Sequence, residues 1–365
     1  MNTLVFYVSG HGFGHASRDI EVMRALQARR SDLRVVIRTA APRWLFDLTL
    51  GGPVEFQEVE CDTGVVQIDS LHLDERGTLR RAAAFYAGFA AKVANEARAL
   101  AKAAADLVIG DIPPLAFAAA AAADLPSIAL GNFTWDWIYE GYPDWRTDAP
   151  DLIETIRAAY STASLALRLP MFGGFAGLRP VTRDIPFVAR RSRRDPQEVR
   201  QAVGIPLELP MVLVSFGRYG LRDLSTAALR DIDGYSFVTA GPTDNLAPAA
   251  NLHPLNESEL YAAGWRYEDL VRAADVVVTK PGYGIIAEAI ANDTAVLYTS
   301  RGHFVEYDVL VAAMPRYLRA LFIGHADLLA GRWKAYLDRL LALPPPPERA
   351  AVNGAEAAAE IILRQ

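Results

Sequence analysis

The chain has 365 residues, of which 52% are hydrophobic, and this length and composition favour more than one buried core. Its formal net charge of −6 disfavours a general nucleic-acid binder, which needs a basic face. With a single cysteine, Cys61, the chain cannot form an intramolecular disulfide, and we expect a reducing, cytoplasmic location. The sequence shows neither a signal-peptide pattern nor an uninterrupted apolar run that predicts a membrane span.

The first half of the chain alternates short apolar strands with helices, which is typical of a parallel sheet covered on both faces. The predicted strands are 4–8, 34–38, 107–109, 127–130 and 165–169. The predicted helices are 17–29, 78–104, 116–123 and 151–161. Residues 1–169 are therefore predicted to form one α/β domain.

Residues 170–194 have no helical or strand period and are rich in glycine and proline, which predicts an interdomain linker. The linker ends in a basic run, Arg190 to Arg194. We expect these arginines to be solvated, while contact with a membrane surface or an anionic acceptor remains an open alternative.

The alternation resumes after the linker. The predicted strands are 211–215, 236–239, 276–279 and 295–298. The predicted helices are 221–229, 267–273, 285–291, 305–314, 326–342 and 351–363. Residues 195–343 are thus predicted to form a second α/β domain, and residues 344–365 a C-terminal helix that packs back on the first. Two doubly wound, Rossmann-like domains would have the carboxyl ends of their parallel sheets facing a central cleft.

The segment from His11 to Arg18 (HGFGHASR) joins the first predicted strand to the first predicted helix. Its glycines let backbone N–H groups approach an anion at the helix start, so Gly12 and Gly14 are candidate donor-binding residues. His11 and His15 can exchange a proton near neutral pH. A dinucleotide site is disfavoured because His15 replaces the third glycine of G-x-G-x-x-G. A zinc site is disfavoured because the glycines interrupt any helix that would bring His11 and His15 to one metal ion. A plain glycine turn with surface histidines stays open.

Two glycine-rich turns follow strands of the second half, and each is a candidate anion cradle. A phosphate at the second turn would meet the N–H groups of a helix start and Lys280, and Glu288 in that helix could accept both ribose hydroxyls. A solvated Lys280 and a helix-dipole role for Glu288 are the alternatives. The candidate residues of the two turns are Gly217, Arg218, Tyr219, Gly220, Lys280, Pro281, Gly282, Tyr283 and Gly284.

An aromatic cluster at Trp135, Asp136 and Trp137 follows the strand 127–130. Indole rings stack on the C–H faces of sugars, so these residues are candidates for the acceptor side of a site. Packing at a domain edge explains the same spacing equally well, and both interpretations stay open.

Four motifs, in this order along the chain, resemble those of the GT-B glycosyltransferases: 11–18 (HGFGHASR), 111–114 (DIPP), 132–139 (NFTWDWIY) and 279–284 (TKPGYG). The resemblance includes plant UDP-glycosyltransferases and the N-acetylglucosaminyltransferase that completes the peptidoglycan lipid precursor. It is most specific for the glycosyltransferase-like amino-terminal half of plant L-arabinokinases and its stand-alone bacterial relatives. It extends to about Leu343 and implies a GT-B fold with two Rossmann-like domains.

The resemblance also implies roles for individual residues. His15 matches the histidine that deprotonates the acceptor, with His11 as the competing candidate, and Asp111 matches the aspartate that orients this base. The donor pyrophosphate would lie between the turns at 217–220 and 282–284. Glu306 lies where relatives contact the donor sugar. The chain lacks the tryptophan-headed donor signature of plant transferases, so their donor preference cannot be transferred.

We therefore expect an inverting, metal-independent glycosyltransferase that moves a sugar from a nucleotide-diphosphate donor to an acceptor hydroxyl or amine. UDP is the donor nucleotide that the relatives imply, and the nucleotide sugar is a co-substrate, with no cofactor. A non-hydrolysing nucleotide-sugar epimerase and a non-catalytic nucleotide-sugar-binding or regulatory module are the alternatives. The acceptor and the oligomeric state cannot be predicted from the sequence.

Overall fold

Two parallel sheets organise the chain, one in each of two units. The computed structural model describes residues 1–50, 52–217, 220–221, 224–240 and 249–365. Unit 1 comprises Met1–Val66, Asp74–Ala189 and Ala351–Gln365. Unit 2 comprises Gln67–Leu73 and Arg190–Ala350. Residues 170–189 thus group with unit 1, and the chain passes into unit 2 at Arg190.

The sheet of unit 1 is parallel throughout its described strands. Its strands are β1 (Thr3–Val8), β2 (Arg34–Thr39), β3 (Glu55–Glu58), β6 (Leu107–Asp111), β7 (Ser127–Gly131), β8 (Leu165–Arg168) and β9 (Thr182–Asp184). A separate two-stranded sheet consists of β4 (Val66–Gln67) and β5 (Leu73–Asp74). The spatial order is β3-β2-β1-β6-β7-β8-β9, so the winding direction reverses between β1 and β6. The five strands that the apolar runs predict are all confirmed, and β1 is buried along its whole length.

Helices cover the sheet of unit 1. They are α1 (Gly14–Arg29), α2 (Arg43–Thr49), α3 (Glu75–Ala87), α4 (Phe89–Lys102), α5 (Pro114–Ala122), α6 (Trp135–Glu140), α7 (Trp145–Asp148), α8 (Leu152–Tyr160), a 3-10 turn (Ala176–Val181) and α17 (Gly354–Ile362). Helix α17 buries Ala358 and Ile362 in the same apolar core as Met23 and Leu26 of α1.

Two helix predictions for unit 1 are wrong in their bounds. The predicted helix 78–104 is two helices, because Gly88 ends α3 and begins α4 with φ −101° and ψ 19°. The first helix begins at Gly14, three residues earlier than predicted, so His15 and Arg18 lie in its first turns. Gly12 has φ +73°, a conformation that glycine adopts readily, and the helix begins two residues later. The glycines of the loop therefore do not shift the start of the helix towards the C-terminus.

The sheet of unit 2 is also parallel. Its strands are β10 (Met211–Ser215), β11 (Ser236–Ala240), β12 (Leu252–Leu255), β13 (Val276–Thr279), β14 (Ala295–Tyr298) and β15 (Ala320–Phe322). Their spatial order, β12-β11-β10-β13-β14-β15, is that of the Rossmann fold, with the reversal between β10 and β13. One apolar core covers each face of this sheet, and the four predicted strands are confirmed.

The helices of unit 2 are α9 (Pro196–Ala202), α10 (Thr226–Arg230), α11 (Glu257–Ala262), α12 (Tyr267–Ala273), α13 (Tyr283–Ala291), α14 (Tyr307–Tyr317), α15 (His325–Leu329) and α16 (Lys334–Leu341). The predicted helix 326–342 is wrong, because it breaks near Gly331, whose φ is +69°. The predicted helix 221–229 begins at Thr226, where the Ser225 hydroxyl caps it. Among the described residues, none of the helices has the length and hydropathy that a membrane crossing requires.

Candidate active site

The first glycine loop and Asp111 lie side by side at one edge of the unit 1 sheet. The loop leaves the end of β1, and Asp111 is the last residue of the neighbouring strand β6. Val8 and Asp111 are direct partners across these two strands, and the Ser9 N–H donates to the Asp111 carbonyl at 2.8 Å. Because the winding reverses between β1 and β6, this edge is the switch point at which open α/β sheets bind ligands.

His15 contacts Asp111 through a short hydrogen bond. Its Nδ1 atom lies 2.8 Å from Oδ1 of Asp111, and both side chains are buried. Burial would raise the pKa of the Asp111 carboxyl, but the charges and hydrogen bonds of Arg18 and His15 outweigh burial and lower it. A terminal nitrogen of Arg18 also lies 3.2 Å from Nδ1, but it donates to the nearer Oδ1 of Asp111 at 2.6 Å. An ionised carboxylate only accepts, so the 2.8 Å contact assigns the proton to Nδ1 and the lone pair to Nε2. Among the residues that the structure describes, Nε2 of His15 makes no hydrogen bond.

Arg18, the last residue of the first motif, is a further member of this site that the sequence analysis missed. The Arg18 guanidinium donates from Nε to Oδ2 of Asp111 at 2.7 Å and from a terminal nitrogen to Oδ1 at 2.6 Å. Its other terminal nitrogen donates to the amide oxygen of Asn132. The Asn132 amide in turn donates to the carbonyl of Pro170 at 2.7 Å. A signal was present in the sequence, because Arg18 lies one helical turn after His15.

Two further buried carboxyl groups, which the sequence analysis missed, lie near this pair. Burial, followed by the negative charge of Asp111, raises the pKa of Asp19 well above its ordinary value. Asp62 accepts from the Ser9 hydroxyl at 3.0 Å and from the Trp135 indole N–H at 2.9 Å. Burial raises the pKa of Asp62 to about 6, although these hydrogen bonds and His15 oppose the change.

His11 is held differently from His15. Its ring packs on Gly64, where a Cβ atom would lie 2.7 Å from it, and its centroid is 5.9 Å from that of Trp135. The Val65 N–H donates to Nδ1 of His11 at 3.4 Å. Nδ1 therefore acts as an acceptor, which places the proton of a neutral His11 on Nε2.

The three aromatic-cluster candidates lie at the start of α6 with different surroundings. The ring of Trp135 is buried and stacks on Tyr139 with a centroid separation of 5.5 Å. Asp136 is buried and accepts from Nε of Arg157 at 2.9 Å. Trp137 is partly buried and packs closely on Gly173, which has no Cβ. Each side chain has protein packing partners, and Trp135 shares its neighbourhood with His11 and Asp62.

In unit 2, both predicted anion cradles leave the same edge of the sheet. Ser215 at the end of β10 is the direct partner of Thr279 at the end of β13, and the Thr279 hydroxyl donates to the Ser215 carbonyl at 2.5 Å. In the first turn, Gly217 and Gly220 have φ of +66° and +59°, and the Gly220 N–H donates to the Gly217 carbonyl at 3.1 Å. Two predicted donor-binding residues, Arg218 and Tyr219, lie outside the described residues.

The second turn combines a helix start with two cations. Pro281 and Gly282 lead into α13, which begins at Tyr283 and Gly284. Burial lowers the pKa of Lys280 to about 7, and the positive charge of Arg301 adds to the effect. The second cation, Arg301, is buried, donates to the Pro281 carbonyl at 3.2 Å, and pairs with Glu306 at 3.2 Å. Lys280 is therefore not an ordinary solvated lysine, and Arg301 was missed by the sequence analysis.

Glu288 forms part of a buried ionic cluster. Nε and a terminal nitrogen of Arg190 both lie 2.6 Å from Oε1 of Glu288, and Arg190 also lies 3.7 Å from Glu268. Burial opposes the charge of Arg190, but Glu288 and Glu268 outweigh it and raise the pKa of Arg190. The prediction that Arg190 is a solvated linker residue is wrong. Its guanidinium is largely buried and contacts two carboxylates in place of water. Arg191, Arg193 and Arg194 are exposed as predicted.

The sequence and the fold both have counterparts among known proteins. No family model matches the chain. The chain is similar to the L-arabinokinase of Arabidopsis thaliana, with 31% identity over 364 residues, which are 98% of this chain and 34% of that protein. It thus spans about a third of the length of this curated relative.

Solved structures of glycosyltransferases share the fold over the whole chain. The glycosyltransferase of kitacinnamycin has a TM-score of 0.65 at 17% identity, with 99% of this chain and 98% of that chain covered. Phytolacca americana UGT2, solved with UDP-2-fluoroglucose and pterostilbene, has a TM-score of 0.60 at 13% identity, with 99% and 94% covered. The chain therefore has the GT-B glycosyltransferase fold and resembles L-arabinokinase in sequence over nearly its entire length.

Proposed function

We propose that this protein is a glycosyltransferase that moves a sugar from a nucleotide-diphosphate donor to a hydroxyl or amine of an acceptor. The observation that carries the proposal is the hydrogen bond between His15 and Asp111, because it leaves Nε2 of His15 as the proton acceptor. The GT-B fold supports the same reaction class. The match to L-arabinokinase covers only a third of that protein, so we assign no kinase activity to this chain.

In the proposed reaction, Nε2 of His15 takes the proton of the acceptor group as the acceptor atom attacks the anomeric carbon of the donor. The bond between that carbon and the phosphate oxygen breaks at the same time, and the nucleoside diphosphate leaves with the electron pair. A single displacement of this kind inverts the anomeric centre. Asp111 holds the imidazole in the required tautomer and stabilises the imidazolium that forms. General-base catalysis of this kind typically contributes about 10²–10⁴ in rate.

We assign donor binding to unit 2. The diphosphate would lie at the turns 217–220 and 280–284, where backbone N–H groups of the start of α13 point at an anion. Lys280 and Arg301 would neutralise the charge that develops on the leaving group, so the proposed step requires no metal.

The remaining donor and acceptor contacts follow from the same assignment. A carboxylate accepts about four hydrogen bonds, so Glu288 can bind ribose hydroxyls while it holds Arg190. Glu306, paired with Arg301, would contact the donor sugar. Trp135 and His11 would line the acceptor side of His15. Phytolacca americana UGT2 was solved with a UDP-sugar analogue, and this supports UDP as the donor nucleotide to test first.

The experiment is a release assay for nucleoside diphosphate, with a panel of UDP- and dTDP-sugars and a library of small alcohol, phenol and amine acceptors. We expect acceptor-dependent release that His15→Ala abolishes and that is unaffected by chelating agents. Conversion of the donor without an acceptor would favour the epimerase. Nucleotide-sugar binding by the wild type without any product, with every acceptor in the library, would favour a binding module. Either of these two results would contradict the proposal.

A further inference from the structure

We propose that Arg18 is a positioning residue of this site, whose guanidinium keeps Asp111 ionised and aimed at Nδ1 of His15. Asp19 completes the arrangement as an uncharged carboxyl group. The inference rests on the proposed function only where His15 is called the catalytic base, because the arrangement itself is measurable in the protein without substrate.

The geometry of Arg18 fits an orienting group. Its Nε and one terminal nitrogen lie 2.7 and 2.6 Å from the two oxygens of Asp111, so the carboxylate is held at both ends. Such a two-point contact fixes the plane of the carboxylate as well as its position. Asn132 holds the remaining terminal nitrogen, and the Pro170 carbonyl fixes the Asn132 amide. The orientation of Asp111 therefore depends, through Arg18, on Asn132 after β7 and on Pro170 after β8.

Asp111 needs such a partner because it is completely buried. A buried carboxyl group far from a cation takes up a proton and becomes neutral. A neutral Asp111 could donate to Nδ1 of His15, and the imidazole proton would then move to Nε2. The base would be lost although both side chains stayed in place.

Asp19 lies near His15 and Asp111, and no described group donates a hydrogen bond to its carboxyl oxygens. Its side chain is completely buried. The negative charge of Asp111 adds to burial in raising the pKa of Asp19, because two neighbouring buried carboxylates repel each other. A protonated, uncharged Asp19 avoids this repulsion.

The charged or titratable groups that face His15 and Asp111 are Arg18 and Asp19 of α1 and Asp62 from the segment after β3. Arg18 balances Asp111 and Asp19 is neutral, while Asp62, whose pKa is raised to about 6, adds a negative charge above that pH. The ionised Asp111 provides the counter-ion when His15 accepts a proton in the proposed reaction.

The test is a pH titration of the 365-residue protein labelled with ¹⁵N-histidine, followed by long-range ¹H–¹⁵N spectra, with the His15 signals assigned from His15→Gln. In the wild type we expect a protonated Nδ1 and an unprotonated Nε2. In Arg18→Gln, the His15–Asp111 pair should take up an additional proton at a pH about 1–3 units higher. Arg18→Lys keeps the charge and should stay near the wild type, and Asp19→Asn should leave the titration unchanged.

Several outcomes would overturn the proposal. They are a wild-type His15 with its proton on Nε2, a folded Arg18→Gln protein that titrates like the wild type, and an Asp19→Asn protein whose pair titrates at a lower pH. If Arg18→Gln does not fold, Asn132→Ala takes its place, because it removes one anchor of the guanidinium. We expect a smaller shift in the same direction from it, and no shift would overturn the proposal. Absence of transferase activity with these spectra intact would contradict only the proposed function.

Discussion

Nδ1 of His15 lies 2.8 Å from Oδ1 of Asp111, although 96 residues separate them in the chain. Two neighbouring parallel strands produce this contact, because the residue after β1 begins the histidine loop and the last residue of β6 is the aspartate. The contact fixes the tautomer of His15, and the chemistry that we propose depends on that tautomer.

Replacing His15 with alanine should lower kcat by about 10²–10⁴, because the acceptor would lose its general base. The affinity for the nucleoside diphosphate should stay unchanged, since we assign donor binding to unit 2. Initial rates of diphosphate release and calorimetric titration measure the two effects separately. His11→Ala is the matched control, with a smaller loss of kcat. A larger loss in His11→Ala than in His15→Ala would exchange the roles of the two histidines.

Asp111→Asn should lower kcat by about 10³–10⁴, because an asparagine amide can donate to Nδ1 and so stabilise the wrong tautomer. It should also lower the free energy of unfolding, because the buried Arg18 would lose its counter-ion. Urea denaturation measures the second effect. The double variant Arg18→Gln/Asp111→Asn should recover stability without recovering activity. Recovery of both would mean that Asp111 acts only on folding.

Lys280 makes donor binding dependent on pH. Burial lowers the pKa of Lys280 to about 7, with a contribution from Arg301, so the free protein loses this cation as the pH rises through 7. A bound diphosphate favours the charged lysine and raises its pKa. The affinity for UDP should therefore be highest below pH 7 and fall by up to about tenfold per pH unit above it.

Calorimetric titrations of UDP at several pH values measure this dependence. Lys280→Arg is the control, because arginine stays charged and should make the affinity nearly independent of pH above 7. The same affinity profile in the wild type and in Lys280→Arg would show that Lys280 does not contact the diphosphate.

Glu288→Ala should destabilise the protein by about 3–5 kcal/mol, because the largely buried Arg190 would lose the carboxylate that holds it. Urea denaturation monitored by tryptophan fluorescence measures the change. The double variant Arg190→Met/Glu288→Met should recover most of the stability, since a methionine pair leaves no buried charge unpaired. If Glu288→Ala alone is as stable as the wild type, the ion pair is not formed in solution.

Most of the sheet architecture could be predicted because its central strands, such as Leu4–Val8 and Val276–Thr279, are continuous apolar runs. Edge strands such as β3 (Glu55–Glu58) were missed, because they are polar and partly exposed, and only pairing with a neighbour makes them strands. The break at Gly88 was missed because the apolar period on both sides of it is helical.

The sequence placed His15, Asp111 and Lys280 at the carboxyl ends of strands, because each belongs to a motif at or after the end of a predicted strand. The site was not predictable where the partner comes from elsewhere in the chain. The ion pair of Arg190 with Glu288 joins residues 98 positions apart, and no local sequence pattern predicts it. Arg18 and Asp19 look like ordinary polar residues of an amphipathic helix until Asp111 is placed beside them.

The most direct test of donor binding, on which the proposed transfer depends, is a thermal-unfolding screen with UDP, dTDP, other nucleoside diphosphates and their sugars. A nucleotide present at 100 times its Kd stabilises the folded protein by about 2.7 kcal/mol. We predict that at least one diphosphate raises the Tm of the wild type and that Lys280→Met loses this response. No rise in Tm with any nucleotide in the panel would contradict the account.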